Sequence, residues 1–321
     1  MRSLIRSFSL LALASLAGCG DAPVAEDDDD VLASDIGEGD VAGARVDAAA
    51  ASSAKDDDTI TAGDLEIVVP AVGEGVATIA EIDDGSWRSF GIERGLDGVV
   101  HVVDVSGDAA GSGGRSGSPA ACKDRAFATS GFRWKNAYEW RFRSGSTPET
   151  NSKSAVEQRL KEAAANVSSS RNDCGLADQV TATQKYLGTT TRNTNIVGKA
   201  TSYSCAKRDG QNVVGFGVLP KGILGVACVW WSGDGAVEAD VKLNDRGYRW
   251  FAGNTPPKGC SNRFSVEGVA THEMGHVFGL AHVSESAHGN LTMSTKARPC
   301  TASDTTLGLG DVLGLRKKYG P

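Results

Sequence analysis

Residues 272–282 read His-Glu-Met-Gly-His-Val-Phe-Gly-Leu-Ala-His, and each fixed position in that run can do chemistry. Residues four apart share a helix face, so His272 and His276 can turn their rings toward one metal ion. Glu273, beside the first histidine, can hold water at that metal. Gly279 can take the positive φ that ends a helix, and the returning chain then brings His282 as a third ligand. Three imidazoles leave one position of tetrahedral Zn²⁺ open to water, the arrangement of a catalytic rather than a closed structural site. Three of the chain's five histidines fall in this window. Adding the fixed Gly and third His to H-E-x-x-H lowers the chance of accidental occurrence by roughly another 500-fold. A buried helix whose histidines only satisfy core hydrogen bonds does not account for that clustering.

The pattern resembles that of the metzincin zinc peptidases, which pair it with a downstream methionine turn. Met293, in Leu291-Thr292-Met293-Ser294, is the only methionine after the motif, and its adaptable thioether suits an apolar floor under the histidines. Among metzincins the chain is most similar to the matrixins, the matrix metalloproteinase family and its bacterial relatives. The run from Leu307 to Gly320 resembles the matrixin closing helix, and Val237–Asn244 followed by Trp250 resembles the matrixin strand with an A-D-[IV]-x-[FL]-[ND] core. Thr295 stands where serralysins and astacins usually carry a tyrosine. The resemblance covers roughly residues 122–320.

That resemblance implies an α/β (α+β) metzincin, zincin-like catalytic domain: a mixed twisted sheet, an active-site helix and a Met-turn, preceded here by a small β-rich segment. It implies a zinc endopeptidase acting on protein or peptide substrates, with His272, His276 and His282 as ligands of one Zn²⁺ and Glu273 as general base. Calcium (Ca²⁺) is a family expectation, for which Asp240 and Asp311 are the candidates. The strand just ahead of the active-site helix region should be a sheet edge, to which substrate adds as an extra antiparallel strand. Departures from the family are informative. Lys242 replaces the histidine that binds a second, structural zinc in animal matrixins, so no second zinc is expected. Val283 follows the third histidine where matrixins usually have Ser or Thr, and the P-R-C-G-x-P-D cysteine switch is absent. Two other functions share these residues: a zinc amidase acting on cell-wall peptides, and a surface lipoprotein that keeps the fold for adhesion. Intact Glu273 speaks against the second, since adhesion needs no general base.

The elements that must hold this site are legible as periodicities. Tyr138, Trp140 and Phe142 alternate with Glu139, Arg141 and Arg143, a half-buried strand. Ser154 and Glu157 read as a capping box, after which Val156, Leu160, Ala163 and Val167 fall on one helical face. Further strands are expected at Thr201–Cys205, Val213–Leu219, Leu224–Trp231 and Val237–Leu243. Upstream, 65–69, 76–80 and 99–103 are strand-like and rich in β-branched residues. Residues 59–105 therefore form either a small β-module or a pro-segment covering the active site, with His101 as a strand residue. Residues 106–120, rich in Gly and Ser, read as a linker open to proteolysis before a catalytic domain at 121–321.

The N-terminus reads as a targeting segment. Arg2 and Arg6 precede an apolar stretch from Leu10 to Leu16, and Leu16-Ala17-Gly18-Cys19 matches a bacterial lipobox. In that reading residues 1–19 form a lipoprotein signal and Cys19 carries the lipid that tethers the protein to a membrane. The other reading is a plain secretory signal, and either one exports the protein. Lipidation of Cys19 leaves six of the seven cysteines to pair. Order along the chain suggests Cys122–Cys174, Cys205–Cys228 and Cys260–Cys300, one of fifteen pairings, with Cys122 as a zinc-blocking thiol the alternative. Residues 20–58 read as an acidic, disordered tether. From Asp21 to Asp58 thirteen acidic residues face only Arg45 and Lys55, more than the whole chain's net charge of −7. The acidity thus belongs to the tether and says nothing about substrate charge. No nucleic-acid partner is implied, and the sequence leaves the oligomeric state open.

Overall fold

The computed structural model describes residues 53–63, 65–82, 87–108 and 119–321. Cys19 and the rest of the signal, residues 20–52 and most of the 106–120 linker lie outside the described residues.

Alternation of apolar and polar residues marks β1 (Thr59–Ala62) and β2 (Leu65–Val68), and β3 (Glu74–Ile82), β4 (Trp87–Arg94) and β5 (Val100–Asp108) follow. Then follow β6 (Ala128–Thr129), β7 (Tyr138–Phe142), helix α1 (Lys153–Ser168), β8 (Gln184–Thr189), β9 (Ile196–Gly198), β10 (Tyr203–Cys205) and β11 (Asn212–Gly217). The hairpin β12 (Ile223–Ser232) and β13 (Gly235–Asn244) leads through β14 (Arg249–Phe251) and β15 (Arg263–Ser265) into helix α2 (Val266–Val277). The chain closes with β16 (Leu280–Ala281), the short α3 (Glu285–His288) and α4 (Leu309–Tyr319).

Eight strands make the main sheet in the order β5-β4-β3-β12-β13-β11-β7-β8. Strands β13, β11, β7 and β8 pair in parallel, whereas β12 runs antiparallel to both β13 and β3. A four-stranded sheet, β1-β2-β10-β9, is separate. The expectation of a mixed sheet with an active-site helix and a β-rich N-terminal segment is thus met.

β12 shows why the sheet is covered on both faces. It is apolar almost throughout, and its first nine residues are buried. Leu224, Ala227, Val229 and Trp231 enter the core shared with α1, α2 and α4. Ile223, Val226, Cys228 and Trp230 enter a second core with Ile60, Leu65, Ile67, Phe90, Ile92 and Tyr203. A strand buried on both sides has no polar face to alternate with, which explains its continuous apolar run. The Cys205–Cys228 disulfide joins β10 to β12 inside this second core.

Two expectations change. Neither strand of the β12–β13 hairpin ahead of α2 is an edge: β13 lies between β12 and β11, and β12 pairs with β3 from Ile223 to Ser232. The N-terminal strands supply the partner that the resemblance reserved for substrate. Helix α1 is capped by Ser152 rather than Ser154. Ser152 is the residue left in extended conformation at the helix start, and its hydroxyl accepts from the Ala155 N–H. The second acidic run also rests on the body, with Asp56 paired to Arg94 and Asp57 to Lys207.

Candidate active site

Helix α2 starts where Ser265 turns extended and its Oγ accepts the Gly268 N–H at 3.1 Å. Its twelve residues are all buried, including His272, Glu273 and His276. Glu267 ties this helix to α1 by a 2.9 Å ion pair with Arg159 and a 3.1 Å hydrogen bond from Asn166. After Phe278, Gly279 at φ 85° reverses the chain. A Cβ there would strike the Phe132 carbonyl and Lys318, so the turn that delivers His282 needs glycine for space as well as for φ.

The three rings converge. Their Nε2 atoms lie 2.9 Å (His272–His282), 3.0 Å (His272–His276) and 3.1 Å (His276–His282) apart. Zn–N bonds of about 2.0–2.1 Å at tetrahedral angles place ligand nitrogens about 3.3 Å apart, so the triad matches one face of a zinc tetrahedron. Protonation agrees. His272 Nδ1–H donates to the Thr292 carbonyl at 2.8 Å, and His276 Nδ1–H to the Leu280 carbonyl at 3.0 Å. A carbonyl can only accept, so these bonds fix the proton on Nδ1 and leave the Nε2 lone pair for metal. Burial drives the His272 pKa down to about 4 and those of His276 and His282 well below the usual value, holding the rings neutral. Among the described residues this triad is the only cluster of three or more His, Cys, Asp or Glu side chains able to share a metal.

The floor of the site is the Met-turn, and its position is set from α4. Met293 is buried against α2, and its sulfur occupies the space a Cβ on Gly275 would need. The Asp311 carboxylate, fully buried, accepts N–H bonds from Thr292 at 2.9 Å, Met293 at 3.2 Å and Gly308 at 2.9 Å. Burial raises its pKa to about 6 against those three bonds. A chain of contacts thus runs from α4 through Asp311 to the Thr292 amide, and from the Thr292 carbonyl to His272. Asp240, the other calcium candidate, is likewise committed to backbone amides, those of Asn195 and Val213. The sequence marked Asp311 only as a metal candidate; its aspartate at the start of the closing helix was the visible signal of this positioning role.

On the opposite side, the backbone of β12 closes over the Glu273 carboxylate. A Cβ on Gly225 would collide with the Glu273 carboxylate, so β12 passes within side-chain contact of it. Gly225 had no signal in the sequence. The cysteines meet as three bonded pairs, Cys122–Cys174, Cys205–Cys228 and Cys260–Cys300, the last bracketing α2 and the Met-turn. Cys122 is therefore not a thiol poised over the metal. Of the other histidines, His101 is exposed on β5, and His288 pairs through Nδ1 with buried Asp124 at 3.0 Å.

No curated protein matches the chain. The sequence model of the Matrixin family matches residues 133–320, which takes in β7, both long helices, the histidine triad, the Met-turn and α4. With more than half of its length matched and the zinc triad assembled at the family's motif, the chain belongs to the matrixin family.

Proposed function

We propose that this matrixin, a zinc metalloendopeptidase, works as an exported enzyme held at a bacterial cell surface by lipid on Cys19, where it cleaves extracellular proteins. The observation that carries the catalytic reading is the convergence of three neutral, buried imidazoles beside Glu273. His272, His276 and His282 would hold Zn²⁺, and the chemistry the bound ion would supply is polarisation of the scissile carbonyl and a water pKa lowered toward about 7. The chain's own groups do the rest. His272 and His276 would hold the metal through Nε2, their rings oriented by the Thr292 and Leu280 carbonyls. Glu273 takes the proton of the attacking water and returns it to the leaving amine. Met293 keeps the floor apolar.

The surface location rests on the lipobox, the acidic stretch after it and three disulfides, which persist in oxidising compartments. We assign residues 20–52 to the tether and 121–321 to the catalytic domain. No helix among the described residues is long and apolar enough to cross a membrane.

The test of the catalytic assignment is Glu273→Ala. It should lower the cleavage rate at least about 1000-fold, within the range removed with a general base, while zinc measured by atomic absorption stays near one per chain. Loss of the metal along with activity would assign Glu273 a structural role instead.

A further inference from the structure

Strand order makes β12 the natural end of the catalytic sheet. Without β3, β4 and β5, the order β8-β7-β11-β13-β12 would leave the outer side of β12 unpaired. That side is next to the chemistry, because Gly225 of β12 lies against the Glu273 carboxylate. A peptide adding to β12 as an antiparallel strand would run about 4.8 Å from it, across the histidine triad. β3 is itself antiparallel to β12 and fills that lane, with Glu81 opposite Gly225 and Ile82 opposite Ile223.

The pairing is weakest where it matters most. The register shifts between Ile223 and Gly225, leaving Leu224 out of the ladder beside Glu273. Such a bulge interrupts strand hydrogen bonding locally. Further along, Val76 and Ala80 are locked into the second apolar core with Val226 and Trp230. Only the end of β3 can therefore come away without opening that core.

We propose that the end of β3, Glu81–Ile82, is an internal strand that occupies the substrate lane of β12 and must leave it before a polypeptide can be cleaved. The inference rests on the zinc endopeptidase reading and adds a built-in gate to it. The fixed part of β3 anchors the gate, and the bulge at Leu224 is the point where it opens.

Hydrogen–deuterium exchange on the zinc-loaded full chain tests this with two probes. Acetohydroxamate can bind the metal without a peptide backbone, whereas a tripeptide hydroxamate must also lie along β12. The tripeptide hydroxamate should speed exchange of the Glu81 and Ile82 amides by about tenfold or more, the mark of local opening, and acetohydroxamate should leave them unchanged. Binding of acetohydroxamate but not of the tripeptide probe would equally support a closed lane. A saturating tripeptide probe that leaves those amides fully protected overturns the gate. Failure of acetohydroxamate to bind the zinc-loaded chain overturns the zinc peptidase reading, and the gate with it. Glu81→Pro, which removes one ladder N–H, should raise the rate on a protein substrate severalfold. If it folds, holds zinc and cleaves no faster, the gate is contradicted; if it does not fold, the exchange result decides.

Discussion

Gly275 shows how closely a single residue is held at this site. It sits between Glu273 and His276 on α2, and the Met293 sulfur fills the volume its side chain would take. Gly275→Ala should force Met293 off its rotamer and cost about 1–3 kcal/mol. We expect a lower thermal midpoint and weaker zinc retention against a competing chelator; an unchanged midpoint would mean the turn yields freely. At this scale the sequence was informative because ligands and base lie within one turn-and-return of chain, where spacing alone fixes their directions. Gly225 was invisible for the converse reason. It meets Glu273 only through the pairing of the sheet with α2, and nothing in its neighbours marks it.

Among the elements, the Met-turn and α4 act as a unit through Asp311. Asp311→Ala would leave the buried amides of Thr292 and Met293 and that of Gly308 without their acceptor, at a cost on the order of 2–5 kcal/mol. Because the Thr292 carbonyl orients His272, the loss should also appear as faster zinc release, followed with a chromogenic chelator. Ser265→Ala, which removes the α2 cap, should cost only about 1 kcal/mol and leave zinc release unchanged. Equal effects from the two substitutions would dissolve the distinction between positioning the ligand and stabilising the helix. Strand and helix positions were readable from their periods, as β7 and α1 show. The partners of β12 were not, because its continuous apolar run says that both faces are buried without saying by what. Its covered edge depends on β3, far upstream in the chain, and register between such distant strands leaves no local mark.

In the molecule as a whole, the N-terminal strands and the catalytic region share one apolar core, closed by the Cys205–Cys228 bond. Strands β3 to β5 are thus built into the sheet that carries the site, while β1 and β2 join the second sheet beside β10. Lys242 lies within this fold on β13, donating to the Ile196 carbonyl of β9. Burial pushes its pKa down from 10.5 to about 8. Between those values the unfolded chain binds a proton that the folded chain has released, so this group makes stability rise with pH across the window. Below about 8 both states are charged and the burial penalty acts in full. Lys242→Met should flatten that rise, on the order of 1–3 kcal/mol, in urea unfolding followed from pH 7.5 to 10.5. An unchanged slope would show that the ammonium keeps its water.

The claim on which the rest depends is zinc-assisted cleavage of internal peptide bonds by the triad and Glu273. Incubating the zinc-loaded full chain, or its Glu273→Ala variant, with a casein-like protein and with isolated peptidoglycan tests it most directly, with new termini read by mass spectrometry before and after chelation. The account predicts internal cuts in the protein that vanish with chelator, return with added zinc and are missing from the variant. Cuts that survive chelation or the substitution, or hydrolysis confined to the peptidoglycan peptides, would contradict it.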